Sequence, residues 1–206
     1  MSAPSFTADD TAMLLIDHQV GAVGWARSIP FDRMEANALA LAKTAKGNGI
    51  PLLFASSIDA NALGPRPAAP EEAAPGRFGS PIKRQRAVHV MDEGDFASVV
   101  GETGRRKLII AGVGNEVCTV HLTLTALCLG YEVQVVADAG GSPPKSGEDF
   151  ALRRMGRAGA DITSTARIVA ELVHARTGER DGRIVPFVTP SHFSLCCQRS
   201  EGPVGS

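Results

Sequence analysis

Three places far apart in the chain carry the side chains of an acyl-transfer site: Asp17, the cationic cluster Lys83-Arg84-Gln85-Arg86, and Cys118. A cysteine hydrolase needs a thiolate, a group that removes its proton, and N–H donors for a developing oxyanion. A nearby cation stabilises the thiolate. Cys118 follows the apolar run Leu108–Ala111 and the turn Gly112-Val113-Gly114, at the start of a helix-like pattern. A thiol in the first turn of a helix, just past the carboxyl end of a strand, sits where the helix dipole favours an anion. Asp17 ends a second apolar run and is the candidate base. The turn at Gly114 and Asn115 brings backbone N–H groups beside the sulfur, a candidate oxyanion site. Each residue also has a plainer reading. Buried cysteines are mostly packing, strand-end acids cap loops, and charged runs are solvated.

The elements that must position these residues follow from hydropathy. Thr11–Ile16, Ile50–Ser56, Leu108–Val113, Glu132–Ala137 and Asp161–Ser164 are short, mostly apolar runs that read as strands. Between them, helices are expected over Asp32–Asn48, Asp95–Glu102 (capped by Asp92), Thr119–Leu129, Gly147–Arg157 and Thr165–Ala175, with stops at Gly47-Asn48-Gly49, Gly104 and Gly130. Strands that are continuous apolar runs, alternating with helices, predict an α/β fold. It is a three-layer sandwich with a mainly parallel sheet and helices on both faces. Ligands of such sheets bind beyond the carboxyl ends of the strands. Asp17, Gly112–Cys118 and Asp138 all fall on that edge. The Ala-, Pro- and Gly-rich stretch Ala60–Gly79 reads as a long loop, and Ala87–Val90 alternates briefly. Residues 1–176 form the expected domain and 177–206 an irregular tail, where the vicinal pair Cys196-Cys197 is strained for a disulfide.

With 206 residues, 44% hydrophobic and 21% charged, the chain is long enough for one domain with a substantial core. A formal charge of −1, with both signs dispersed, gives no footprint for nucleic acid. No apolar run is long enough to cross a membrane, and Met1–Ser5 does not read as a signal peptide. The four cysteines, 118, 128, 196 and 197, lack metal or disulfide spacing, so the expected location is the cytoplasm.

Four blocks are similar, in order and spacing, to the isochorismatase-like cysteine hydrolases, and most of all to their YcaC-related branch. They are Leu14-Leu15-Ile16-Asp17-His18-Gln19, the Asp92–Phe96 segment, Lys107–Cys118, and Val135-Val136-Ala137-Asp138-Ala139. Arg154-Met155 and Ala170-Glu171-Leu172 fit the same branch, and the similarity spans roughly residues 8–175. It implies a Rossmann-like α/β fold, a triad of acid, cation and cysteine, and attack on a small amide, carbamoyl or related carbonyl compound through a thioester. Asp17 and Cys118 match the acid and the nucleophile. The family lysine corresponds to Arg84, with Lys83 beside it, and an arginine holds charge but does not shuttle protons. The resemblance also implies a cis peptide at Gly114–Asn115. Nicotinamidase relatives bind a metal through an Asp-x-His pair; the corresponding Asp59-Ala60-Asn61 lacks the histidine, so no metal and no cofactor are expected.

The expected pocket walls are the Gly21–Pro30 loop, the Ala60–Gly79 loop and the segment after Asp138, with His18, Gln19 and Trp25 as substrate-binding residues. Trp25 has an equally good reading as a core anchor. The expected partners are a small-molecule substrate and further copies of the same chain. Two other functions compete. Gly112-Val113-Gly114 with Asp138 as a ribose-binding acid resembles part of a dinucleotide fingerprint, but Val117 stands where its third glycine belongs. A catalytically silent oligomeric or regulatory member of the fold is the other.

Overall fold

The computed structural model describes residues 6–18, 25–57, 82–84 and 94–176. Gln19, the Ala60–Gly79 loop, the Ala87–Val90 stretch and the 177–206 tail lie outside the described residues. Alternation along the strands sorts the core into two layers. Ala12, Leu14 and Ile16 of β1 (Thr11–Ile16) share one face with Leu53 and Ala55 of β2 (Leu52–Ser57), Leu108 and Ile110 of β4 (Lys107–Gly112), and Val133 and Val135 of β5 (Glu132–Val136). Helices α2 (Gly94–Glu102), α3 (Val120–Cys128) and α4 (Lys145–Arg157) cover that face through Phe96, Val100, Leu122, Ala126, Ala151 and Met155. Met13, Leu15, Phe54, Ile109 and Ala111 take the opposite face. They meet Leu41, Ala42 and Ala45 of α1 (Phe31–Asn48), and Ile168 and Leu172 of α5 (Thr165–Arg176). Every residue of β1 is buried, as a strand covered on both faces requires.

Two short strands, β3 (Ile82–Arg84) and β6 (Asp161–Thr163), complete a six-stranded sheet of order β3-β2-β1-β4-β5-β6. All five pairings are parallel, so the expected α/β sandwich is the observed fold. The chain builds outward from β1 to β3, returns to lay β4 beside β1, and builds outward the other way. Right-handed crossovers then place α1 on one face and α2, α3 and α4 on the other. Helix α1 shows the local logic: Met34, Ala38, Leu41, Ala42 and Ala45 repeat at helical spacing and are buried. It stops at Gly49, whose φ of 68° turns the N–H back to Ala45 O and Lys46 O.

Most expected elements match the observed ones within two residues. Three differ in ways that matter. Cys118 is not in the first turn of an α-helix; Asn115–Thr119 form a π-helical turn, and α3 begins only at Val120. The chain reverses at Gly114, with φ 83° and ψ 54°, and the bond from Val120 N–H to Asn115 O closes the wider ring. No cis peptide occurs among the described residues, so the expected cis bond at Gly114–Asn115 is replaced by this left-handed glycine. Lys83 and Arg84 of the cationic cluster belong to a strand beside β2, where a solvated loop was the plainer reading.

Backbones approach closely where the loops after β4 and β5 meet. A Cβ at Gly140 would overlap Gly112 O, whereas one at Gly101, within α2, would meet nothing within 4 Å. Gly140→Ala should therefore lose about 2 kcal/mol or more. Gly101→Ala should gain up to about 1 kcal/mol by raising helix propensity. Urea unfolding of the two variants beside the parent protein measures both signs.

Candidate active site

The strand order reverses between β1 and β4, and that is where an open parallel sheet leaves a crevice. Ile16 and Gly112 are in register at the carboxyl ends of these two strands, and Val113 N–H donates to Ile16 O at 3.0 Å. Asp17 follows Ile16 directly. It is buried, its N–H donates to Ala55 O at 2.8 Å, and its φ is 54°. A left-handed conformation costs a non-glycine residue about 1 kcal/mol and is least unfavourable for Asp and Asn. It turns the chain sharply off the sheet edge, beside the turn that carries Cys118.

His18, the next residue, is also buried. Its Nε2–H donates to Ala139 O at 2.8 Å, which ties the end of β1 to the loop after β5 and leaves Nδ1 as the unprotonated nitrogen. Burial pushes the imidazole below its ordinary pKa of 6.5, although Ala139 O, the Asp17 charge and Ile16 O all favour the cation. His18 is thus neutral at neutral pH.

Cys118 is half-buried and packs against the core face that holds α2, α3 and α4. Its turn is strapped from one side by Gly140-Gly141-Ser142. Gly114 N–H and Asn115 N–H donate to Gly141 O at 2.7 and 3.2 Å, and Glu116 N–H donates to Ser142 Oγ at 3.3 Å. Val117 N–H and Thr119 N–H turn back to Gly114 O. The expected backbone donor at Asn115 is therefore engaged with Gly141. The Asn115 side chain is fully buried, and neither Oδ1 nor Nδ2 has a hydrogen-bond partner among the described residues.

The other expected residues are placed as follows. Arg84, at the end of β3, pairs with Ser57 two residues beyond the row Ile16–Ala55–Ile82, so it lies on the carboxyl edge with Asp17 and Cys118. Trp25 is 62% exposed, which overturns the core-anchor reading. Asp138 accepts from Thr165 N–H at 2.7 Å and from Thr165 Oγ1 at 2.9 Å. It holds the start of α5, a role that competes with ribose binding and removes the second support of the dinucleotide reading. Among the described residues, no group of three or more His, Cys, Asp or Glu is placed to hold a metal ion. A groove with Tyr131, Gln134, Asp161 and Glu171 in its wall opens at the amino ends of β5 and β6, away from this chemistry.

Two features of the site were missed in the sequence. Ser28 and Ser142 carry no motif. Gly147 leaves room for the Glu116 carboxylate at the first turn of α4, where a Cβ would collide with it. The only available signal was the glycine pair Gly140-Gly141, which marks a close backbone approach.

The neutral state of His18 has a measurable consequence. Below pH 6.5 the unfolded chain takes up a proton that native His18 resists, so stability falls as the pH drops. The slope from this one group is at most about 1.4 kcal/mol per pH unit. His18→Gln should flatten the dependence between about pH 7 and 5, read by chemical unfolding at each pH. An unchanged slope would place the titrating group elsewhere.

Comparison with known proteins agrees with this fold. Residues 11–167 match the model of the isochorismatase domain family. YcaC of Escherichia coli strain K12 is 35% identical over 164 residues, covering 80% of this chain and 78% of the relative. The structure of YcaC from Pseudomonas aeruginosa, solved with hexane-2,5-diol and covalent acrylamide, superposes with a TM-score of 0.85 at 30% identity, covering 96% of this chain and 98% of the other. The crystal structure of Escherichia coli YcaC, described as an octameric hydrolase of unknown specificity, gives the same TM-score and identity over 96% of this chain and 97% of that one.

Proposed function

This chain belongs to the isochorismatase family of hydrolases, and from that premise we propose that it cleaves a small amide or carbamoyl compound through a thioester on Cys118. Asp17 takes the Cys118 proton, and Arg84 stabilises the thiolate as a fixed charge. The sulfur attacks the carbonyl carbon. The backbone N–H of Cys118, beside the sulfur, faces the oxyanion. Asp17 returns the proton to the departing nitrogen and the C–N bond breaks. Asp17 then removes a proton from water, whose oxygen attacks the thioester, and the carboxylic acid leaves as the sulfur recovers its electron pair.

One observation carries the reading: Asp17 and Cys118 follow adjacent strands at the point where the strand order reverses. Arg84 is favoured over Lys83 because it ends β3, opposite Ser57 and one residue nearer the carboxyl edge that holds Asp17 and Cys118. The covalent acrylamide in the Pseudomonas aeruginosa relative fits the same chemistry, since acrylamide is an electrophile that thiolates attack.

The test is alkylation of Cys118 by iodoacetamide in a protein whose Cys128, Cys196 and Cys197 are replaced by serine. Asp17→Asn should slow the reaction at neutral pH by about a hundredfold, as loss of a positioned base does. Arg84→Ala should slow it by about tenfold, and Lys83→Ala by much less. Exposure to a panel of small amides and esters should leave an acyl adduct, seen by intact mass and absent in Cys118→Ala. An Asp17→Asn variant that alkylates at the parental rate would sink the mechanism. A thiol that reacts only in denaturant would favour the silent member of the fold.

The chain also assembles with copies of itself. Phe31, Leu129 and Phe150 are 44%, 54% and 66% exposed, and the Escherichia coli relative is octameric. Light scattering should give a mass several times that of the 21.5 kDa chain. A monomer at micromolar concentration would refute this.

A further inference from the structure

We infer that Ser142 is a positioning residue, clasping the turn of Cys118 to the segment 26–29 so that the place of that segment sets the reactivity of the thiol. The inference rests on Cys118 being the nucleophile. Ser142 is fully buried and bonded on both sides. Toward 26–29, its carbonyl accepts from Arg27 N–H at 2.9 Å and Ser28 N–H at 3.2 Å, and its N–H donates to Ser28 Oγ at 3.0 Å. Toward the nucleophile, its Oγ accepts from Glu116 N–H at 3.3 Å.

Gly141, just before it, is squeezed between the same two neighbours. A Cβ there would stand 2.9 Å from Ala26 Cβ and 3.2 Å from Ile29 Cγ2, while Gly141 O takes the N–H groups of Gly114 and Asn115. Glu116 is held from the other side, its carboxylate seated over Gly147. Four of the five residues ahead of Cys118, counting back to Val113, thus contact the strap: Val113 bridges to Gly141, and 114, 115 and 116 donate to it. Packed, hydrogen-bonded backbone transmits displacement because it cannot absorb it locally. A molecule that shifts 26–29 must therefore shift the strap, and with it the turn. Trp25, the only tryptophan, stands exposed three residues before Ser28, at the outer end of this connection.

The experiment uses the full chain with Cys128, Cys196 and Cys197 replaced by serine, so that only Cys118 reacts with iodoacetamide. Two quantities are read: the pH profile of the alkylation rate by intact mass, and Trp25 emission before and after alkylation. In the parent, alkylation should change the Trp25 emission. Ser142→Ala and Ser28→Ala should each slow alkylation by about tenfold at neutral pH, move the midpoint of the profile, and abolish the emission change. Ser28→Thr keeps the acceptor and should restore both. A merely structural role would lower the unfolding temperature of the alanine variants without moving the midpoint. If both alanine variants keep the parental profile and emission response, the coupling is refuted while the nucleophile stands. If native Cys118 in the parent does not alkylate, both readings fall.

Discussion

Six residues of β1 lie in parallel register with six of β4, from Thr11 opposite Lys107 to Ile16 opposite Gly112. The remaining architecture hangs on that pairing. Among the described residues it is where the chain, having built outward through β2 and β3, comes back to the middle of the sheet. Because crossovers are right-handed, the return also decides which face each helix occupies. Parallel pairing brings both strand ends to the same edge. Asp17 and the turn of Cys118 are neighbours for that reason, although a hundred residues separate them. No local preference of either segment could have produced the proximity.

The edge created there must then be closed without leaving its backbone groups unpaired. Gly112, Gly114, Gly140 and Gly141 allow the loops after β4 and β5 to lie against each other, and carbonyl Gly141 O takes two N–H groups of the Cys118 turn. His18 closes the other side by donating to Ala139 O. Its burial keeps the imidazole neutral, so the bond holds one tautomer in place. The loops after β1, β4 and β5 are thus joined by hydrogen bonds, beside a small apolar cluster of Val113 and Met34 with Ala26 and Ile29. This suits a site that must stay polar while sitting on an otherwise dry core.

The π-helical turn at Asn115–Thr119 belongs to the same economy of space. An α-helix starting directly after β4 would have placed Cys118 in its first turn. In the wider ring Cys118 still packs against the core while its neighbours bond to the strap. Asn115 is buried in this turn with both amide atoms unpartnered among the described residues. Such sites are where local sequence preference and final structure are expected to disagree.

Much of this was legible in the residues. The apolar runs ending at Ile16 and near Gly112, and the helical spacing from Met34 to Ala45, specify strand, helix and buried face through side-chain periodicity, which is a local property. Motif order pointed to the family and to Asp17 and Cys118. Other features could not be read along the chain. The turn type at Cys118, the engagement of the Asn115 N–H, the seat of Glu116 over Gly147 and the clasp made by Ser28 and Ser142 all arise between segments distant in sequence. The sequence by itself determined which elements form and which family the chain belongs to, because periodicity, residue type and motif order are written along the chain. Only the tertiary structure decided how the thiol is held, because hydrogen-bond partners and close approaches exist once the β1–β4 register has brought the loops together.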